Sequence, residues 1–295
     1  MAKIALRRAV ARAFLGILFA CDISGSCVAQ QRQDLYAQAT SALLERSFAS
    51  PRIDYLLLDL RTHKTVAIHW ADPKTAIPVG SLLKPFVALA YSQMHAGNAP
   101  RPFPSIRCHG KMDGCWKPEG HGTLTLESAL AQSCNAYFLG LARELSASGA
   151  DALSLISTRY GLPSPPRSAK PQSLIGLTSD WRIPPLALAN AYATLASQSE
   201  DPVMRRVLRG MQLAAGPKGT ASKIGRHLGG VLAKTGTAPC RDRSCVASGD
   251  GLVVVLAPAE EPLLLLLVRQ RGTTGAQTAA LAGRMLTQLE ALHAR

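Results

Sequence analysis

Three short stretches of this chain carry side chains whose types and spacing suit acyl transfer. The first is Gly80-Ser81-Leu82-Leu83-Lys84-Pro85. A lysine three residues after a serine returns to the same helical face about one turn later, and a lysine whose pKa is lowered by burial can accept a serine's proton. The apolar spacing predicts a helix from about Ser81 to His95, which puts Ser81 where unpaired N–H groups and the dipole favour developing negative charge. The second stretch, Ser133-Cys134-Asn135, falls inside or at the edge of an expected helix; serine and asparagine weaken a helix unless their polar groups are used elsewhere. The third, Lys234-Thr235-Gly236-Thr237, lies on an apolar run. Lysine and glycine pack poorly in a strand, and a glycine there often admits the approach of another backbone.

Each stretch also has a plain reading: an N-cap serine before a surface lysine, a small polar helix end, a strand that begins at a turn. With ordinary composition Ser-x-x-Lys arises by chance about once per 250 residues. Lys-Thr-Gly arises about once per several thousand. No GxGxxG, Walker-type loop, HExxH or GxSxG occurs, which sets aside several large enzyme classes.

The elements that must position these residues follow from the hydrophobic pattern. Residues 31–48 read as a helix, Ile53 to Leu60 and Thr65 to Trp70 as a strand hairpin, and residues 98 to about 225 as alternating loop and helix. Leu124 to Leu145 and Ile183 to Ala196 are the clearest helices of that stretch. Gly230 to Thr237, Gly251 to Ala257 and Leu263 to Arg269 read as three strands, and Gln277 to Leu292 as a closing helix. The unbroken Leu263–Val268 run suits a strand covered on both faces. Two strands, a helical insertion, three strands and a terminal helix predict an α+β fold with one sheet assembled from both ends of the chain.

The N-terminus and the cysteines point to export. Lys3, Arg7, Arg8 and Arg12 precede a short apolar run, Ala13 to Ala20, too short for the roughly 20 residues that span a bilayer and fitting a secretory signal. Residues 1–29 are therefore expected to be a signal peptide, with residues 30–51 a helix and linker and 52–295 the functional domain. Cys27-Val28-Ala29 suits cleavage before Gln30, whereas Leu18-Phe19-Ala20-Cys21 resembles a lipobox that would put the protein on a membrane through Cys21. The formal charge is +14, and loss of residues 1–29, with four basic residues and Asp22, leaves +11. For an exported protein that charge suits wall polymers or anionic headgroups, and no aromatic-interleaved basic stripe argues for nucleic acid. Cys108 with Cys115, and Cys240 with Cys245, are close pairs that an oxidising compartment would join as disulfides. Free thiols and a zinc site, from the clustering of Cys108, His109, Cys115 and His121, remain alternatives, although the intervals lack the paired CxxC spacing of a zinc motif.

Ser-x-x-Lys, Ser-x-Asn and Lys-Thr-Gly in this order resemble the motif set of penicillin-binding proteins and class A β-lactamases. Longer stretches resemble the transpeptidase domain of class B penicillin-binding proteins: Gly120-His121-Gly122 through Leu126, Ala129-Leu130 with Ser133 to Phe138, Pro185 to Ala196, and Gly219-Thr220-Ala221. Cys115-Trp116 before the histidine looks like elongation-type members in particular. The chain departs from the pattern in having Cys134 at the middle of Ser-x-Asn, Ala233 before Lys-Thr-Gly, and Asp250-Gly251-Leu252-Val253 without aromatic residues.

The resemblance implies a β-lactamase/transpeptidase-like fold, a five-stranded antiparallel sheet flanked by helices with an inserted helical subdomain. It implies a serine D,D-transpeptidase of the periplasm or cell envelope, with peptidoglycan stem peptides as substrates, β-lactams as acylating mimics, possible cell-wall synthesis proteins as partners, and no metal or cofactor. Ser81 would be the nucleophile, Lys84 its base, Ser133 the proton relay to the leaving amine and Asn135 a holder of Lys84 and substrate. Lys234 would tune Ser133 and, with Thr235, Gly236 and Thr237, receive the carboxylate end. A D,D-carboxypeptidase would share the acylation and use water as acceptor. A class A β-lactamase needs a glutamate to activate water, and none occurs between Glu144 and Glu200; a non-catalytic penicillin-recognising protein is the remaining alternative, against which all candidate catalytic residues are intact.

Overall fold

A computed structural model of the chain describes residues 34–97, 101–239 and 249–293. The expected signal segment with Cys21 lies outside the described residues, as do Cys240 and Cys245, the second expected disulfide pair. Helix α1 (34–48) precedes the hairpin β1 (Ile53–Asp59) and β2 (Lys64–His69). Near the far end come β7 (Leu232–Ala238), β8 (Asp250–Ala257), β9 (Leu264–Gln270) and α9 (Gly275–His293). These five strands form one antiparallel sheet in the order β2-β1-β9-β8-β7, so β1 pairs with β9 across most of the chain length. The α+β reading, with a helical portion inserted between the second and third strands of the sheet, is the architecture observed.

The central strands β8 and β9 carry unbroken apolar runs, residues 252–257 and 264–268, because both faces of the sheet are covered there. Side chains alternate across a strand, and the two sets enter different cores. Leu56, Leu58, Val254, Leu256, Leu265 and Leu267 face the inserted helices. Tyr55, Leu57, Val253, Val255, Leu266 and Val268 face α1 and α9, which contribute Leu44, Phe48, Met285, Leu286 and Leu289. Each such buried side chain contributes about 1.5–3 kcal/mol of transfer free energy.

The insertion centres on α2 (Lys84–Met94), buried from Lys84 through Tyr91. A helix apolar all round belongs in the middle of a core, and α2 fixes whatever its first turn carries. Around it lie α3 (Leu126–Ala131), α4 (Asn135–Ser148), α5 (Ala150–Arg159), α6 (Pro171–Leu174), α7 (Pro185–Ala196) and α8 (Pro202–Ala215). Pro85, Pro171, Pro185 and Pro202 occupy first helical turns, where a missing N–H costs little. Two ribbons of two strands complete it: β3 (Ile77–Pro78) with β6 (Arg182–Ile183), and β4 (Ile106–Cys108) with β5 (Gly122–Leu124).

Three local expectations are corrected. The single helix over Leu124–Leu145 is a strand end and two helices, α3 and α4, separated at residues 132–134. Ser133 there takes φ +48°, and the amides of Ser133 and Cys134 close α3 onto Leu130 and Ala129 carbonyls. Ser81 does not open the α-helix itself but lies in a tighter 3₁₀ turn, Gly80–Leu83, that runs into α2. The helix expected from Ile183 starts at Pro185, because Ile183 pairs with Ile77. Among the described residues no helix is long and apolar enough to cross a membrane.

Candidate active site

The turn bearing Ser81 is wedged between strand β7 and the inserted helices. Gly80 has φ +58°, and a Cβ there would lie 2.7 Å from the Thr237 carbonyl oxygen. A Cβ on Gly236 would lie 2.7 Å from the Val79 oxygen and 3.3 Å from the Ser81 nitrogen. Two glycines thus let the turn and the strand touch backbone to backbone, the close approach that a glycine inside a strand foreshadows. From the other side Tyr192, fully buried on α7, donates its hydroxyl to the Leu82 carbonyl at 2.8 Å. Ser81 itself is only partly covered.

One turn on, Lys84 is fully buried. Its Nζ donates to Asn135 Oδ1 at 2.7 Å, to the Ser133 carbonyl at 2.7 Å and to Ser133 Oγ at 3.3 Å. Lys234, also fully buried, donates to the same Ser133 Oγ at 2.9 Å and to the Thr235 carbonyl at 2.7 Å. Burial pushes Lys84 down to about 7, against a weaker upward pull from Cys134 and Cys115. Burial and then the nearby Lys84 push Lys234 well below the ordinary lysine range. A buried ammonium is costly, so an amine poised near neutrality is the expected outcome and the form needed for a base. Among the described residues no hydrogen bond joins Ser81 Oγ to Lys84.

Ser133 owes its place to the break between α3 and α4. Its left-handed conformation turns its hydroxyl between the two lysines, and Trp116, half-exposed, donates Nε1 to the Gln132 and Ser133 carbonyls at 3.2 Å each. Asn135, first residue of α4, also donates Nδ2 to the Gly114 carbonyl at 3.3 Å. Ser81, Lys84, Ser133, Asn135 and Lys234 are therefore brought to one place, with Thr235, Gly236 and Thr237 on the adjoining strand. Thr235 Oγ1 donates to Thr220 Oγ1 at 2.6 Å, and exposed Thr237 accepts the Gly275 amide on Oγ1 at 3.0 Å.

The expected disulfide between Cys108 and Cys115 is not formed. Cys108, Cys115 and Cys134 are free, buried thiols that gather with His121, their donor atoms all within 4.8 Å of one another. His121 Nδ1 lies 3.6 Å from Cys108 Sγ and 3.4 Å from Cys115 Sγ, and Cys115 and Cys134 sulfurs are 3.8 Å apart. Close sequence pairing suggested a disulfide; the convergence of four donors from separate segments replaces it. The other disulfide expectation, Cys240 with Cys245, falls on neither β7 nor β8 but between them, outside the described residues. His109, the other imidazole of the sequence cluster, instead pairs with Asp113.

Three thiols and one imidazole are the donor set that suits a tetrahedral, thiophilic ion such as zinc, which the resemblance did not imply. Burial and then Lys117 lower His121, favouring the neutral imidazole that binds metal. Burial raises Cys115, but amides of Lys117, Asn135 and Ala136 outweigh it and favour the thiolate. His121 Nε2 is buried with no hydrogen-bond partner.

Sequence reasoning missed Tyr192, Thr220 and Cys134 as parts of this arrangement. The Pro185–Ala196 and Gly219–Ala221 resemblances were the available signals for the first two; Cys134 stood in plain view inside Ser-x-Asn.

The molecule has the fold of penicillin-binding transpeptidases, as its likeness to solved structures shows. A Pseudomonas aeruginosa PBP2, crystallised in complex with WCK 5153, aligns with TM-score 0.68 at 21% identity, over 87% of this chain and 73% of that one. The TP domain of Burkholderia pseudomallei penicillin-binding protein 3 aligns with TM-score 0.64 at 16% identity, over 89% and 93%. Helicobacter pylori PBP2 aligns with TM-score 0.66 at 16% identity, over 87% of this chain and 62% of that one. No curated protein matches the chain. The profile described as penicillin binding protein transpeptidase domain matches residues 72–288, and the chain belongs to that family.

Proposed function

We propose that the protein is an exported serine D,D-transpeptidase that acylates Ser81 with peptidoglycan stem peptides and is acylated there by penicillins. The observation that carries this reading is the convergence of two fully buried lysines, Lys84 one turn after Ser81 and Lys234 on β7, on the Ser133 hydroxyl.

In this mechanism Lys84, deprotonated, takes the proton as Ser81 Oγ attacks the carbonyl of the penultimate residue. The backbone N–H groups of Ser81 and Thr237 face the developing oxyanion, each worth about 2.7–4 kcal/mol by comparison with other acyl-transfer sites. Ser133, held between the lysines, gives its proton to the leaving amine and takes the one Lys84 received, so Lys84 is neutral again as the terminal D-alanine departs. Lys234 and the hydroxyls of Thr235 and Thr237 take the substrate's carboxylate. An acceptor amine then attacks the ester, its proton returns through Ser133 or Lys84, and Ser81 is regenerated. A D,D-carboxypeptidase would differ only in using water at this last step. Cys108, Cys115, His121 and Cys134 would hold a zinc ion as a structural staple, fixing the break that presents Ser133 and Asn135; no step passes through it. Wall-synthesis partners are expected by likeness to a Helicobacter pylori PBP2 solved in complex with MreC.

The test supplies a D-Ala-D-Ala stem peptide with and without a diamino acceptor. Cross-linked product and released D-alanine are expected from the native chain and from no Ser81→Ala preparation. Release of D-alanine with water alone, unaffected by acceptor, would establish the carboxypeptidase instead. Turnover by Ser81→Ala would overturn both.

A further inference from the structure

The Gly219-Thr220-Ala221 stretch stands beside the site without a part in the chemistry above. We infer that Thr220 is a positioning residue whose hydroxyl sets the Thr235 hydroxyl against the substrate's carboxylate and so governs recognition of the anionic end of the acyl donor. The inference rests on the Ser81 acyl-transfer reading.

The stretch is built to hold one side chain in place. A Cβ on Gly219 would lie 2.0 Å from the Ala214 oxygen, so only glycine lets the loop close onto the end of α8. The amide of fully buried Ala221 donates to that same Ala214 oxygen at 2.9 Å. Between them the Thr220 amide donates to the Ala131 carbonyl at 3.1 Å, at the last residue of the helix that leads to Ser133. The half-buried Thr220 side chain then lies between the two catalytic segments. Its Oγ1 accepts from Thr235 Oγ1 at 2.6 Å and donates to Ala131 O at 3.4 Å. A closed polar ring results: Ser133 to Lys234, Lys234 to the Thr235 backbone, the Thr235 hydroxyl to Thr220, Thr220 to Ala131, and two residues of chain back to Ser133. Thr220 is the one side chain in this ring outside the three motifs.

Hydrogen counting gives the ring a function. Each threonine hydroxyl has a single hydrogen. At rest Thr235 spends its hydrogen on Thr220, and Thr220 spends its own on Ala131. A carboxylate only accepts, so Thr235 must turn its hydrogen to the substrate. Thr220 then turns its hydrogen to Thr235, while Ala131 keeps the Thr220 amide. The handover leaves no buried hydroxyl without a partner, and chained donors strengthen one another. Thr220→Val keeps the shape and removes the handover; Thr220→Ser keeps the handover and loses a methyl group.

Acylation by benzylpenicillin, which has a carboxylate, and by its neutral methyl ester is measured on the native chain, Thr220→Val and Thr220→Ser, together with each melting temperature. Thr220→Val is expected to lower the second-order rate with benzylpenicillin about tenfold, through weaker binding rather than a slower limiting step. Thr220→Ser is expected to stay within about threefold of native. The methyl ester should react slowly with the native chain and no more slowly with Thr220→Val. Equal losses with both probes, or no loss with benzylpenicillin, would overturn the inference and leave Thr220 a packing residue. Failure of the native chain to react with either probe would instead overturn the Ser81 reading and this inference with it.

Discussion

Two buried lysines sharing one serine hydroxyl are what acyl transfer at this site demands of single residues. In the proposed mechanism Lys84 serves as base near neutral pH, where burial takes it down to about 7. The acylation rate is therefore expected to climb with pH along a limb centred near 7, and a flat profile from pH 5 to 9 would argue against Lys84 as base. The same shift bears on stability. An unperturbed lysine titrates near 10.5, so between about 7 and 10.5 the unfolded chain binds a proton at Lys84 that the native chain does not. Stability contributed at this position rises with pH through that window. Urea midpoints of the native chain should gain on those of Lys84→Met as pH increases; parallel curves would contradict the lowered value. Ser133→Ala should cut acylation by about 10²–10⁴, the usual worth of a positioned proton relay, leaving far-UV circular dichroism unchanged. Residue types and order made these groups legible in the sequence: Ser-x-x-Lys alone is an ordinary helix start, but Ser-x-Asn and Lys-Thr-Gly, which sit poorly in a helix and a strand, follow it in order. What spacing could not carry was the ring through Thr220, 15 residues from its partner Thr235 and packed beside it only by the close approach at Gly219.

At the scale of elements, the site depends on a strand touching a turn and on a helix that breaks. Gly236→Ala would drive a methyl group to 2.7 Å from the Val79 oxygen and 3.3 Å from the Ser81 nitrogen. It is expected to cost about 1–3 kcal/mol, as other overpacked sites do, and to abolish labelling by penicillin before it abolishes folding. Native labelling by this variant would show that the approach is not needed. The break at residues 132–134 was signalled only by the helix-weakening Ser133 and Asn135, since no periodicity reports a φ of +48° at Ser133. For the same reason the expectation of a Cys108–Cys115 disulfide, with free thiols and a zinc site as its alternatives, did not include Cys134. Cys134 meets Cys115 only because the chain turns there, and His121 arrives from the segment before β5. Protein purified with zinc present is expected to hold about one equivalent. Chelation should lower its melting temperature and slow acylation. Metal-free protein with native acylation and three titratable thiols would contradict that role.

Over the whole molecule, the first and last strands lie side by side, so the five-stranded sheet is complete only when both ends of the chain meet. The apolar run at 263–268 made a doubly covered strand legible; which helices cover which face, α1 and α9 on one side and the insertion on the other, could not be assigned from periodicity because β8 and β9 are apolar on both faces. Leu266, fully buried against α9 at the middle of β9, is a point where the two ends depend on each other. Leu266→Ala is expected to cost about 2–5 kcal/mol, with sheet and catalytic labelling lost in one transition rather than two; separate transitions would show that the insertion folds alone. Acylation at Ser81 is the step on which the proposed function depends. A fluorescent penicillin, followed by digestion and mass mapping of the adduct, tests that most directly. A long-lived adduct on the peptide containing Ser81, absent from Ser81→Ala, is the predicted result. An adduct elsewhere, or none on the native chain, would contradict it.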